Sequence, residues 1–153
     1  MKIFVTGGKG MLGRTLRRVL TDVEFVVGDL PECDITKAEA VREAIATADV
    51  DAVVHCAAMT QVDLCETERE RAFLINETGS ANVAKACEAL GKRLIAISTD
   101  YVFRGDKPCD TRNSPIINAE LFSYSLKNSR CPNSSQSSNN RFGAFFDVVL
   151  PTK

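Results

Sequence analysis

Met1-Lys2-Ile3-Phe4-Val5-Thr6-Gly7-Gly8-Lys9-Gly10-Met11-Leu12-Gly13-Arg14-Thr15-Leu16 opens the chain, and the fold turns on how it is read. Ile3-Phe4-Val5 is an apolar run of branched and aromatic side chains, the composition of a buried parallel strand. It breaks into Thr6-Gly7-Gly8-Lys9-Gly10, after which Leu12, Leu16, Val19 and Leu20 recur at helical spacing. Strand, glycine turn and helix form the context in which a glycine pattern points to a dinucleotide. A pyrophosphate is held by backbone N–H groups at the positive end of a helix, and a side chain at Gly7 or Gly10 would keep it away. Gly13 would let the helix pack closely on the strand. The plain alternative is a strand–helix turn with no ligand.

The remaining pattern repeats the alternation. Val23 to Val27 reads as a second strand ending at Gly28-Asp29-Leu30-Pro31. Asp29 is either a carboxylate for the 2′-hydroxyl of an adenosine ribose, which would favour NADH, or a turn aspartate before Pro31. A helix is expected from about Lys37 to Ala48, with Thr36 as N-cap and Glu39 completing a capping box. Val50 to Ala58 reads as a third strand whose small terminal residues leave room for a nucleotide. His55, the single histidine, has no Cys or His partner at metal spacing and reads as a packing residue of that strand. Met59 to Thr67 is polar and reads as irregular. Ala72, Ile75, Val83, Ala84, Cys87 and Leu90 then mark one long amphipathic helix stopped at Gly91. Arg93 to Ile97 is the fourth strand, with Ser98-Thr99-Asp100-Tyr101 at its carboxyl end: either a substrate site or a polar strand terminus. Strands alternating with helices specify an α/β fold with a parallel, doubly wound sheet.

Composition sets limits. The chain of 153 residues is 44% hydrophobic with a net charge of -1, enough for one core and without the basic surplus that nucleic acid would favour. No apolar run approaches the ~20 residues of a membrane helix, and with Met1 leading directly into the first strand no signal peptide is expected. The six cysteines, Cys33, Cys56, Cys65, Cys87, Cys109 and Cys131, show no metal spacing and are expected to be reduced thiols of a cytoplasmic protein.

TGGKGMLG at Thr6, CDIT at Cys33, AAMTQVDLCETERERAFLINETGSANVAKAC at Ala57 and LIAISTDYVFRGDKP at Leu94 together resemble the dTDP-4-dehydrorhamnose reductases over residues 1–108. These are extended short-chain dehydrogenases, whose glycine loops share the spacing Gly7-x-x-Gly10-x-x-Gly13. The resemblance implies a Rossmann-type NAD(P)-binding domain and reduction of a 4-keto sugar nucleotide, dTDP-4-dehydro-6-deoxy-L-mannose, to dTDP-L-rhamnose with NADPH or NADH. It places Gly7, Gly10, Met11, Leu12 and Gly13 at the pyrophosphate, Asp29 at the ribose and Asp34 and Ile35 beside the adenine. Ala58, Met59 and Thr60 fall on the nicotinamide side. Thr99 matches the catalytic hydroxyl and Asp100 a neighbouring sugar-binding residue. For the full-length family the resemblance allows a homodimer, and a non-catalytic relative, the methionine adenosyltransferase regulatory subunit, offers the alternative of a binding partner.

One part of the family pattern is missing. The proton for the reduced oxygen comes from a tyrosine whose pKa is pulled below ~10 by a lysine one helical turn on, in a Tyr-x-x-x-Lys motif. Here Tyr124 is followed by Lys127, one residue short, and Tyr101 by Gly105 in the lysine's place. From Cys109 the chain turns rich in Ser and Asn, with Asn133 to Asn140 of low complexity, so residues 109–153 are expected to be a non-homologous, disordered tail and the sheet incomplete. Within it Phe142 to Leu150 reads either as a strand or as an exposed apolar segment. The abrupt change near Pro108 is read as a frameshift in preference to a natural short form.

Overall fold

The structure, a computed structural model, describes residues 1–99 and 144–149. β1 (Lys2–Thr6) runs through the middle of the sheet with Ile3, Phe4, Val5 and Thr6 all buried. A strand covered on both faces needs a continuous apolar run, which is why this one shows no alternation. It pairs in parallel with β2 (Glu24–Gly28) on one side, Phe4 opposite Val26. On the other side it pairs with β3 (Ala52–His55), Phe4 opposite Val53. β4 (Arg93–Thr99) joins β3 in parallel, with Leu94 beside Val53. β5 (Ala144–Val149) lies antiparallel on β4, so the described sheet has the order β2-β1-β3-β4-β5.

Helices cover both faces, as a doubly wound sheet requires. They are α1 (Met11–Val19), α2 (Ala38–Ala48), α3 (Val62–Thr67), α4 (Arg69–Phe73), a π-helical turn over Leu74–Gly79, and α5 (Ser80–Ala89). Phe4, Val53 and Leu94 share one face with Val41 and Ile45 of α2 and Val83, Ala86 and Cys87 of α5. Ile3, Val5 and Val54 form the other face, against Leu16 of α1, Val23 and Phe25. The Rossmann-type architecture expected from the alternation is therefore present.

Local expectations change at several points. Thr36 does not cap α2: its hydroxyl and its N–H both go to Asp34 Oδ1, at 2.7 and 3.0 Å, and Lys37 holds the N-cap position without a side-chain hydrogen bond. Glu39 turns to Arg42 instead of back to the cap. The segment read as irregular contains α3, a short helix with Cys65 as its buried residue, where a single apolar contact in a polar stretch leaves no periodic signal. The expected single helix up to Leu90 is divided by the π-helical turn, which adds a residue to the repeat. Its stop is as read: Gly91 takes φ 61° and the Lys92 N–H returns to Cys87 O at 2.8 Å. β3 ends at His55, three residues early, with the Cys56 N–H making the last bond to β1, at Thr6 O and 3.0 Å. On α1, Val19 and Leu20 stay exposed, so that helix buries less of its apolar side than its spacing implied.

The expected tail needs one correction. Ala144–Val149, in the stretch expected to be disordered, forms β5 on the edge of β4. The open edge of a parallel strand offers unpaired backbone groups, and Phe-Phe-Asp-Val-Val has the composition to accept them. Cys109, the low-complexity stretch and Tyr124 to Lys127 lie outside the described residues.

Ile45, fully buried between α2 and the sheet, measures how far this layer is packed. Ile45→Ala is expected to lower the unfolding free energy by about 3 kcal/mol in urea titrations followed by circular dichroism. A loss below about 1 kcal/mol would mean that α2 does not close the core.

Candidate functional site

The carboxyl ends of β1, β2 and β3 bring the residues of interest to one edge of the sheet, where the crossover from β1 to β2 runs one way and the crossover from β2 to β3 runs back past β1. In α/β sheets that point is where a ligand crevice opens. Gly7 leaves β1 at φ 70°, a conformation that side chains resist, and a Cβ there would lie 2.6 Å from Ala57 N. The loop turns once, with the Gly10 N–H donating to Gly7 O at 2.9 Å, and enters α1 through an extended Gly10. A Cβ on Gly13 would stand 2.6 Å from Gly7 O, so the first turn of α1 can sit this close to the loop only as glycine. Met11 and Leu12 thus occupy a helix first turn, whose N–H groups lack intrahelical partners and attract an anion.

Asp29 stands next to this loop. Its Oδ2 accepts the Lys9 N–H at 2.6 Å, while the Lys9 ammonium donates to Leu30 O at 3.0 Å and lies 3.7 Å from Glu32. Asp34 and Ile35 follow on the same side. The hydroxyl of Thr36, then its N–H, and Lys37 hold the Asp34 carboxyl below its ordinary pKa. Ile35 is buried against Gly79, and its carbonyl accepts a hydrogen bond from Asn82 Nδ2 at 2.9 Å.

After β3 the chain meets the glycine loop at Ala57 and continues through Ala58, Met59 and Thr60. Asn76 grips Met59 by both backbone groups, its Oδ1 accepting the N–H at 2.8 Å and its Nδ2 donating to the carbonyl at 2.9 Å. His55 is buried between Thr6 Oγ1, 2.6 Å from Nδ1, and Ser80 Oγ, 2.8 Å from Nε2. Burial pushes its pKa down to about 4, so the ring is neutral and a packing residue, as expected. Cys56 is pushed up to about 11 by burial and then by Asp29, and Cys87 to about 12 by burial; both thiols stay protonated and unreactive near neutral pH. Cys33, Cys56, Cys65 and Cys87 are free. No cluster of metal-binding side chains occurs among the described residues.

Gly7, Gly10, Met11, Leu12, Gly13, Asp29, Asp34, Ile35, Ala58, Met59 and Thr60 therefore flank one edge of the sheet. Thr99 ends β4 on the same edge, and Asp100 lies outside the described residues. Sequence reasoning missed Lys9, Asn76, Ser80 and Asn82. The last three carried a signal: polar side chains interrupting an apolar helix between Ile75 and Val83, around a glycine.

Residues 1–118 match the family described as RmlD substrate binding domain. The dTDP-4-dehydrorhamnose reductase of Mycolicibacterium smegmatis is 48% identical over 104 residues, covering 67% of this chain and 31% of that protein. A crystal structure of dTDP-4-dehydrorhamnose reductase from Bacillus anthracis in complex with NADP is 34% identical with a TM-score of 0.68, covering 84% of this chain and 47% of that one. The UDP-glucose 4-epimerase of Thermus thermophilus, complexed with NAD, is 26% identical with a TM-score of 0.55, over 60% and 35% of the two chains. The chain spans about a third of the length of the first curated relatives it matches.

His55 gives the site a pH signature. Its folded pKa lies below the unfolded 6.5, so stability is full above pH 6.5 and falls as pH drops towards about 4. Between pH 7 and pH 5 this ring is expected to remove about 2 kcal/mol of unfolding free energy. Urea titrations of the wild type and of His55→Phe at both values isolate that contribution. Equal pH dependence in the two proteins would contradict a buried neutral ring.

Proposed function

Because the chain belongs to the RmlD substrate binding domain family, we propose that it binds NADPH or NADH and carries the dinucleotide half of a 4-keto sugar nucleotide reductase. The substrate of that lineage would be dTDP-4-dehydro-6-deoxy-L-mannose and the product dTDP-L-rhamnose. The observation that carries this reading is the junction of Gly7, Gly13 and Asp29: a helix first turn made approachable by glycines, with a carboxylate held beside it through the Lys9 N–H. The relative of known structure that was solved with NADP supports it.

Each residue has a role that its surroundings suit. The Gly10, Met11 and Leu12 amides would hold the pyrophosphate, and Asp29 would accept from a ribose hydroxyl. A carboxylate there disfavours a 2′-phosphate, whereas the nearby Lys9 ammonium favours one, so both cofactors fit this edge. Asp34 and Ile35 would border the adenine. Ala58, Met59 and Thr60, fixed by Asn76, would border the nicotinamide, with Thr99 and Asp100 towards the sugar. Bound NADPH or NADH supplies the hydride. Completing the reduction also needs a proton donor at the sugar oxygen, and neither Tyr101 nor Tyr124 has a lysine four residues on. Binding without turnover is the expected outcome for this chain. That makes a dinucleotide-binding or regulatory partner the second reading, favoured by the same missing pair. Among the described residues no helix is long and apolar enough to cross a membrane.

NADPH and NADH fluorescence titrations of the full chain test the proposal. Saturable binding is expected for the wild type, weakened about tenfold or more in Gly7→Ala, where the side chain meets Ala57 and a left-handed backbone. Adding dTDP-4-dehydro-6-deoxy-L-mannose should leave NADPH unoxidised. Absence of any binding would overturn the dinucleotide reading, and steady turnover would overturn the claim of a missing proton donor.

A further inference from the structure

Three buried side chains beneath the crevice form one hydrogen-bonded line. Thr6 and His55 are register partners at the ends of β1 and β3, and Ser80 opens α5 directly after the π-helical turn. Exposures of 0%, 4% and 6% place all three away from bulk solvent. Thr6 Oγ1 also receives the Ala57 N–H at 3.4 Å.

A neutral imidazole has one donor nitrogen and one acceptor. One hydroxyl therefore donates to the ring and the other accepts from it, Thr6 Oγ1 at Nδ1 and Ser80 Oγ at Nε2. Removing either hydroxyl leaves a ring nitrogen unpaired in the interior, a costly state. Ala57, in turn, is the residue whose backbone meets Gly7. The segment that follows is thus held at two places, at Ala57 through Thr6 and at Met59 through Asn76.

We infer that His55 is a positioning residue of the dinucleotide site: held between Thr6 and Ser80, it sets where the segment that starts at Ala57 passes Gly7. This rests on the dinucleotide reading and adds to it a device that acts on the nicotinamide side alone. Asp34 and Ile35, on the adenine side, are held by Thr36 and Asn82 and do not depend on the ring.

Two measurements on the full chain test this. In imidazole nitrogen spectra of the 15N-labelled wild type at neutral pH, one ring nitrogen should carry the proton and the other none, as a ring fixed between two hydroxyls requires; an exchanging mixture of tautomers overturns the inference without reference to any ligand. NADPH and 2′,5′-ADP are then titrated into the wild type, Ser80→Ala and Ser80→Thr. Ser80→Ala removes the hydrogen-bond partner of Nε2 while keeping the ring, and should weaken NADPH about tenfold. It should leave 2′,5′-ADP, which lacks the nicotinamide half, unchanged, and Ser80→Thr should restore NADPH binding. Equal losses for both ligands, or none, overturn the positioning role and leave the dinucleotide reading standing. A wild type that binds neither ligand overturns that reading and the positioning role with it.

Discussion

The close passage of Gly7 over Ala57 is the constraint on which the site depends. Two backbones meet there at a distance that excludes even a methyl group, and both belong to chains just leaving adjacent parallel strands. Such an approach is stable only if the strands beneath it are held in fixed register and no polar group is left unpaired. The sheet supplies the first condition through the continuous burial of β1 and β3. Thr6, His55 and Ser80 supply the second, and no buried side-chain nitrogen or oxygen among the described residues lacks a partner. An interior polar group that is fully paired costs little, whereas one left unmet costs about 1–3 kcal/mol, so the ring is tolerated in the core only with both neighbours.

The helical segment from α4 to α5 organises what surrounds that contact. Its sheet-facing side contributes Val83, Ala86 and Cys87 to the core, and its polar side chains reach three separate loop or strand ends. Asn76 takes Met59, Ser80 takes His55 and Asn82 takes Ile35. The π-helical turn places these groups at intervals that a regular helix would not match, a recurrent reason for such turns near functional sites. Packing and positioning are therefore performed by the same element, and a change in its register would move both sides of the crevice.

The four parallel strands and the glycine loop were legible because each rests on local physics: branched apolar runs, a periodicity switch, and glycines where backbones pass too close for a side chain. Asp29 was legible as a position but not as a contact, since nothing in the sequence says that its carboxylate would take the Lys9 N–H. The failure of Thr36 as a cap has the same origin, a competing acceptor two residues away at Asp34. Asn76 and Asn82 were hidden for a different reason. Their partners lie 17 and 47 residues away in sequence, and only the tertiary fold brings them together. β5 was left open between two readings because a short apolar strand has no meaning until an edge exists to receive it.

In the proposed dinucleotide site the glycine loop, Asp29 and the Ala57–Thr60 segment act together on one ligand. Amide chemical-shift mapping of the 15N-labelled protein during titration with NADP⁺ reads all three at once. Saturable shifts are expected at Gly7 to Gly13, at Asp29 and at Ala58 to Thr60, with little change on the outer faces of α2 and α5. Shifts confined to those outer faces, or a spectrum unchanged at millimolar NADP⁺, would contradict the proposal.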